Sequence, residues 1–229
     1  MFARRALPGP GTLAIVAWLG TVAVLAAVRA ATGWAAPDAL AASPDALLSG
    51  RLWLLATSGL IVSGTTPALQ IAGMALLVWV VVRRFGPRWF WAIAIAAHVG
   101  ATVITYAAIG ALWVVDAHAA RPVLEAPDYG ISAVWAGCAG ALVAAGVLGA
   151  PAHRRLAFAL GALCLSALLV LVLVVGELAD VEHLVAFVAG ATVAALALHH
   201  GAGADRRPLR PARLSSLRRR PGPASCPVR

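Results

Sequence analysis

Six apolar stretches dominate this 229-residue chain. A helix that rises 1.5 Å per residue needs about 20 residues to cross the hydrocarbon core of a bilayer, and each stretch meets or nearly meets that length. The predicted spans are residues 11–29, 52–82, 89–115, 129–150, 156–176 and 181–198. Gly64 and Pro67 interrupt the second stretch, so its first part is expected to be loop or interfacial structure. The pattern predicts an all-α membrane protein.

Composition agrees with a lipid environment. Apolar residues make up 62% of the chain and charged residues only 12%, against about 25% charged in soluble domains. The net charge of +9 raises the alternative of nucleic-acid binding. The arginines, however, occur in short clusters between the apolar stretches, which is typical of membrane topology and not of a nucleic-acid surface.

The arginine clusters also predict which side each connection faces. Fifteen of the eighteen arginines lie at the two termini and in alternate connections, whereas the other connections hold mainly Asp and Glu. The positive-inside rule then places both termini in the cytoplasm. We expect a cytoplasmic N-terminus at residues 1–10, a six-helix membrane domain at 11–200 and a disordered Arg- and Pro-rich tail at 201–229. The first apolar stretch is long for a secretory signal, which favours an uncleaved helix.

The first connection on the acidic side contains a short repeated sequence. Ala36-Pro-Asp-Ala-Leu40 is followed by Ser43-Pro-Asp-Ala-Leu47. Pro and then Asp suit the first turn of a helix, so each copy predicts a short helix at the membrane surface.

Three polar residues inside the apolar stretches are candidates for chemistry, because polar groups in lipid are costly: Ser132, His183 and His98. Ser132 lies four residues after Asp128 and His183 three after Asp180, so both are expected about one turn below the outer surface. Small residues at four-residue spacing follow each of them and favour close helix packing. These packing residues are Ala136 and Gly140 in the fourth span, and Ala186 and Gly190 in the sixth.

A serine and a histidine at equal depth suggest nucleophilic catalysis. A serine hydroxyl becomes a useful nucleophile when a neutral histidine accepts its proton, so Ser132 and His183 are a candidate catalytic dyad. The alternatives are a serine bonded to its own backbone and a histidine that only packs. For His98, a buried hydrogen bond between helices competes with a catalytic or proton-relay role. Glu182 falls on a different helical face from His183 and is not expected to complete a triad.

Two motifs resemble the rhomboid family of intramembrane serine proteases. Gly130-Ile-Ser132-Ala133 is similar to their GxSG motif, and His183 through Gly190 is similar to HxxGxxxG. His98-Val-Gly-Ala-Thr102 and Asp128-x-Gly-x-Ser132 resemble rhomboid-like proteins of actinobacteria. The resemblance implies a rhomboid-like bundle of six transmembrane helices in a bacterial plasma membrane. It also implies a cofactor-free protease that cleaves transmembrane segments of other proteins.

The same comparison exposes departures from the family pattern. Leu69 and Gly73 stand where the family has the His and Asn that stabilise the oxyanion, and loss of one such donor typically costs about 10²–10³ in rate. Backbone groups near Gly130 and Ala133, or the imidazole of His98, are the candidate replacements.

Two alternative functions therefore stay open. The first is a catalytically inactive rhomboid relative, a pseudoprotease, that binds transmembrane helices of partner proteins. The second is a small transporter, which the absence of an inverted repeat disfavours. The cysteines and histidines show no metal-ligand spacing, so neither a metal nor a cofactor is expected. The sequence does not indicate an oligomeric state.

Overall fold

A computed structural model describes residues 9–33, 37–62, 66–149 and 151–201. Within these ranges the regular structure is helical and no strand occurs. Six helices are long and apolar enough to cross a membrane, which confirms the prediction of an all-helical protein with six candidate spans. They are α1 Pro10–Thr32, α2 Pro67–Phe85, α3 Pro87–Val115, α4 Ile131–Leu148, α5 Pro151–Val174 and α6 Leu178–His199. Most of the predicted tail and N-terminus lies outside the described residues.

Prolines and glycines set several of the helix boundaries. Pro67 is the first residue of α2, where a proline suits the helix because its missing N–H has no helical partner anyway. The first part of the predicted span 52–82 is accordingly separate, and it forms short helices at Leu54–Thr57 and Ser58–Leu60. Gly86 ends α2 with a φ of 86°, which favours glycine, and lets the chain reverse directly into α3.

The repeated sequence before α2 forms two short helices, Pro37–Leu40 and Pro44–Leu48, as predicted. Ala42, between them, forms an antiparallel bridge with Asp128, with N···O distances of 3.1 and 2.8 Å. This bridge ties the connection before α2 to the connection before α4. We call this end of the bundle, with residues 37–62, 117–130 and the first turns of α6, the loop end.

Two local features depart from the predicted pattern. Helix α3 contains a π-helical turn at Ala96–Gly100, which carries His98. Such turns are rare inside α-helices and are frequent at functional sites. The connection after α3 forms a further helix, Ala117–Leu124.

Helices α4 and α6 form the centre of the bundle and make its most extensive helix–helix contact. Helix α3 packs against both members of this pair, α2 packs against α4, and α1 packs on α2 and α3. Residues such as Met74, Phe90 and Cys138 build the main apolar core. Helix α5 packs on α4 and α6 but leaves most of its surface exposed, including Leu163 and Leu173. An apolar helix exposed in this way suits a lipid surround.

Candidate active site

Ser132 is the second residue of α4 and lies at the loop end. Its side chain is half-buried. The hydroxyl donates a hydrogen bond of 3.2 Å to the backbone carbonyl of Tyr129, in the turn just before the helix. Gly130, the N-cap of α4, supplies no side chain to cap the free N–H groups of the first turn. Ser132 therefore occupies the uncapped, electropositive end of a helix.

His183 lies in the second turn of α6, also at the loop end, and is half-buried. Its Nε2 atom is buried and has no hydrogen-bond partner within the described part of the chain. Ser132 and His183 are thus not joined through Nε2 in this structure. A buried ring nitrogen without a partner is uncommon, because such a group loses its water and gains nothing in return.

Glycines bring the backbones of α4 and α6 into contact below these two residues. A Cβ atom added at Gly140 would lie 2.0 Å from the carbonyl oxygen of Phe187, and one at Gly190 would lie 2.0 Å from that of Gly137. Both helices start at the loop end, so these pairings fix their register. Counted back from the Gly140–Phe187 pairing, Ser132 lies eight residues earlier and His183 four; counted back from the Gly137–Gly190 pairing, they lie five and seven residues earlier. The two pairings together put the side chains at similar depth.

The other predicted packing residues also lie at this contact. Ala186 is fully buried in a small cluster with Ala97 and Ala101 of α3, and Ala136 packs against it. Ala133, a candidate oxyanion or supporting residue, is fully buried in the same cluster. Gly137 was not among the predicted residues because it falls outside the four-residue spacing that starts at Ser132. The residues that contact Gly137 could be identified only once the crossing of α4 and α6 was known.

His98 is 7% exposed and is held by the connection before α2. Its Nε2 lies 2.7 Å from the carbonyl oxygen of Leu55 and 3.3 Å from the hydroxyl of Ser58. A carbonyl only accepts, so Nε2 carries a proton and the neutral ring leaves Nδ1 as an acceptor. Nδ1 is buried without a partner. The ring edge rests against Gly130, where an added Cβ would lie 1.9 Å from Nδ1.

This tautomer limits what His98 can contribute. A neutral ring in this state has no proton on Nδ1, so it cannot donate to an oxyanion from that edge. The structure supports a role in seating the turn at Gly130, since any side chain larger than hydrogen at that position would overlap the imidazole.

The two positions where the rhomboid pattern has oxyanion donors do not face a common cavity. Leu69 is 72% exposed on the outside of α2. Gly73 faces α4, where an added Cβ would lie 2.7 Å from Cζ2 of Trp135. Trp135 thus fills the space that a side chain at position 73 would need.

Two buried acidic residues, Glu182 and Asp128, lie near the candidate dyad, and their burial was not predicted from the sequence. Glu182 is 2% exposed and accepts a hydrogen bond from Thr102 of α3. Asp128, also buried, accepts a 3.0 Å hydrogen bond from Tyr106, which lies one turn of α3 beyond Thr102. Glu182, which we expected on a different helical face from His183, packs into the bundle with its carboxyl group toward Thr102. A carboxyl group inside a predicted span was the signal that could have found it.

Within the described ranges no group of three or more His, Cys, Asp or Glu side chains is arranged to hold a metal ion. Comparison of the chain with known protein families, with curated proteins and with solved structures finds no match.

Proposed function

We propose that this protein is a rhomboid-like intramembrane serine protease in which Ser132 is the nucleophile and His183 the general base. One observation carries the proposal: the buried Nε2 of His183 lacks a partner at the depth where α4 presents Ser132. The proposal requires a change in the rotamer of Ser132 that exchanges its bond to Tyr129 for one to this nitrogen. Catalytic hydrogen bonds are often incomplete before substrate binds.

The proposed reaction needs only groups of this chain. Ser132 Oγ attacks the carbonyl carbon of a peptide bond while its proton moves to His183. The imidazolium then returns that proton to the leaving amine, and water hydrolyses the resulting acyl-enzyme. The uncapped N–H groups at the start of α4 are suitably charged to stabilise the oxyanion, in place of the missing side chains at positions 69 and 73.

Substrates of this site would be transmembrane segments of other proteins, since the dyad lies at the end of a bundle that is otherwise apolar outside. The arginine clusters support an orientation with the loop end outside the cytoplasm and both termini inside. The resemblance to rhomboid-like proteins of actinobacteria supports a bacterial plasma membrane.

A fluorophosphonate probe tests the proposal, because it phosphonylates a serine that a neighbouring base activates. The purified protein should be labelled at Ser132, identified by mass spectrometry of the adduct. Ser132→Ala and His183→Ala should each abolish labelling, whereas Ser166→Ala, in α5, should not. Labelling that is unaffected by either dyad change would refute the proposal.

A second candidate function is favoured by a separate observation. Leu69 points outward and Trp135 fills the space beside Gly73, so the oxyanion side chains of the family have no counterpart here. A catalytically inactive relative could still bind transmembrane helices of partner proteins. In that case the same membrane partners should co-purify with the wild type and with Ser132→Ala, and the probe should not label Ser132.

A further inference from the structure

The end of the bundle opposite the loop end carries a high density of positive charge. Helix α2 ends there, whereas α3 and α5 begin there, and their arginines at this end are Arg83, Arg84, Arg88, Arg154 and Arg155. We call this surface the arginine end. All five side chains are exposed except that of Arg84, which is half-buried. Among the described residues of this end there is no Asp or Glu.

The described part of the arginine end therefore has no internal counter-charge. Arg88 is the second residue of α3, where a positive charge opposes the helix dipole and does not stabilise the helix. The sequence beyond residue 201 follows α6 at the same end, and it adds eight arginines but one aspartate. It does not neutralise the charge, so the balancing anions must come from outside the chain.

Two guanidinium groups of the arginine end lie close to aromatic rings. Cζ of Arg83 is 5.6 Å from the centre of the Trp79 ring, and Cζ of Arg84 is 5.3 Å from that of Phe85. Both distances are within the range of a cation–π contact. A guanidinium held in this way can still use the N–H donors at its edge, which match two oxygens of a phosphate group. The rings thus hold two arginines in positions suited to phosphate.

Trp79 indicates what lies against this surface. Its side chain is 58% exposed on α2, one helical turn before Arg83. Exposed tryptophans of membrane proteins are enriched at the boundary between the hydrocarbon and the lipid headgroups. Arg83 and Arg84 lie about one turn, or about 5.4 Å, further toward the helix end. They are therefore expected at the level of the lipid phosphates.

We propose that the arginine end binds anionic phospholipids, with Arg83 and Arg84 as the ligands of the headgroup phosphate and Trp79 as the support for Arg83. Anionic lipids fit this surface because no ammonium group in the same headgroup balances the phosphate, as it does in phosphatidylcholine. The inference goes beyond the proposed reaction and does not depend on it, since Ser132 and His183 lie at the opposite end of the bundle.

The test uses full-length protein in a non-ionic detergent. The protein is titrated with phosphatidylglycerol, with phosphatidylcholine of the same acyl chains and with inorganic phosphate, and native mass spectrometry counts the bound molecules. The first phosphatidylglycerol should bind more tightly than either alternative. Arg83→Gln/Arg84→Gln should weaken that binding about 30-fold, because each arginine near a charged lipid surface contributes to the affinity.

Two further variants separate a built site from a general effect of charge. Trp79→Leu keeps every charge and should weaken binding about 2–5-fold, through loss of the ring that holds Arg83. Arg51→Gln/Arg121→Gln is the matched control, because it removes two exposed arginines at the loop end. It should bind phosphatidylglycerol like the wild type. Thermal unfolding without added lipid should be the same for all variants, which shows that each of them folds.

Each contrary result overturns a defined part of the inference. Equal binding of phosphatidylglycerol and phosphatidylcholine by the wild type would overturn a site for anionic lipid. Equal binding of inorganic phosphate would show that a free anion, and not a lipid, is the occupant. Equal losses in the two double variants would overturn the assignment to the arginine end, and unchanged binding by Trp79→Leu would overturn the role of the ring.

Discussion

Replacement of Gly190 by alanine perturbs the contact between α4 and α6 with the smallest available side chain. The added Cβ would lie 2.0 Å from the carbonyl oxygen of Gly137 and 2.5 Å from its carbonyl carbon. Both atoms are backbone, so neither can move aside without moving α4. The helices must separate, and Ser132 must move away from His183.

The size of the effect follows from these distances. Unbonded carbon and oxygen atoms settle at about 3.5 Å, so the backbones must part locally by about 1.5 Å. Overpacking of this kind typically costs about 1–3 kcal/mol of stability. A displacement of about 1 Å between reacting groups can cost about 10² in rate. We therefore expect Gly190→Ala to lower both the unfolding midpoint and the rate of Ser132 labelling.

Gly110→Ala is the matched control, since Gly110 lies in α3 and an added Cβ there meets no atom within 4 Å. Thermal unfolding in detergent and the time course of fluorophosphonate labelling should be measured for both variants and the wild type. The control should be unchanged or slightly stabilised. If Gly190→Ala matches the control in both measurements, the close backbone contact does not determine the geometry of the site.

Two further predictions concern the surroundings of the dyad. His98→Ala removes the donor to the Leu55 carbonyl. It should lower the free energy of unfolding by at least the cost of an unsatisfied acceptor, about 1–3 kcal/mol, as measured by chemical denaturation. An unchanged unfolding transition would contradict the hydrogen bond. Gly73→Asn alone should destabilise the protein because its Cβ overlaps Trp135. In the double variant Gly73→Asn/Trp135→Ala, the new amide should make fluorophosphonate labelling of Ser132 faster than in Trp135→Ala alone. Equal labelling rates would show that position 73 does not face the developing charge.

The helices could be predicted from the sequence because long apolar runs leave few alternatives in lipid. The observed helix ends differ from the predicted ones by a few residues at prolines and glycines. Helix α3, for example, begins at Pro87, two residues before its predicted start. The short helices at Pro37–Leu40 and Pro44–Leu48 were predictable for a similar reason, since the signal is local.

The polar contacts could not be predicted in the same way. Thr102 and Glu182 are 80 residues apart in sequence, and they meet because α3, with its π turn, presents Thr102 toward α6. The tautomer of His98 depends on a carbonyl of the connection before α2, whose path no periodicity reveals. The equal depth of Ser132 and His183 was inferred from spacing, and the glycine contacts support it, but the direction of each side chain depends on packing.

The central claim is that the Ser132 hydroxyl and the His183 imidazole act on each other. An experimental structure of the protein with a phosphonate bound to Ser132 would test it most directly, through the distance from Ser132 Oγ to His183 Nε2. Our account predicts a separation of about 3.5 Å or less. A histidine that remains beyond reach of a modified Ser132, or a protein in which Ser132 cannot be modified, would contradict it.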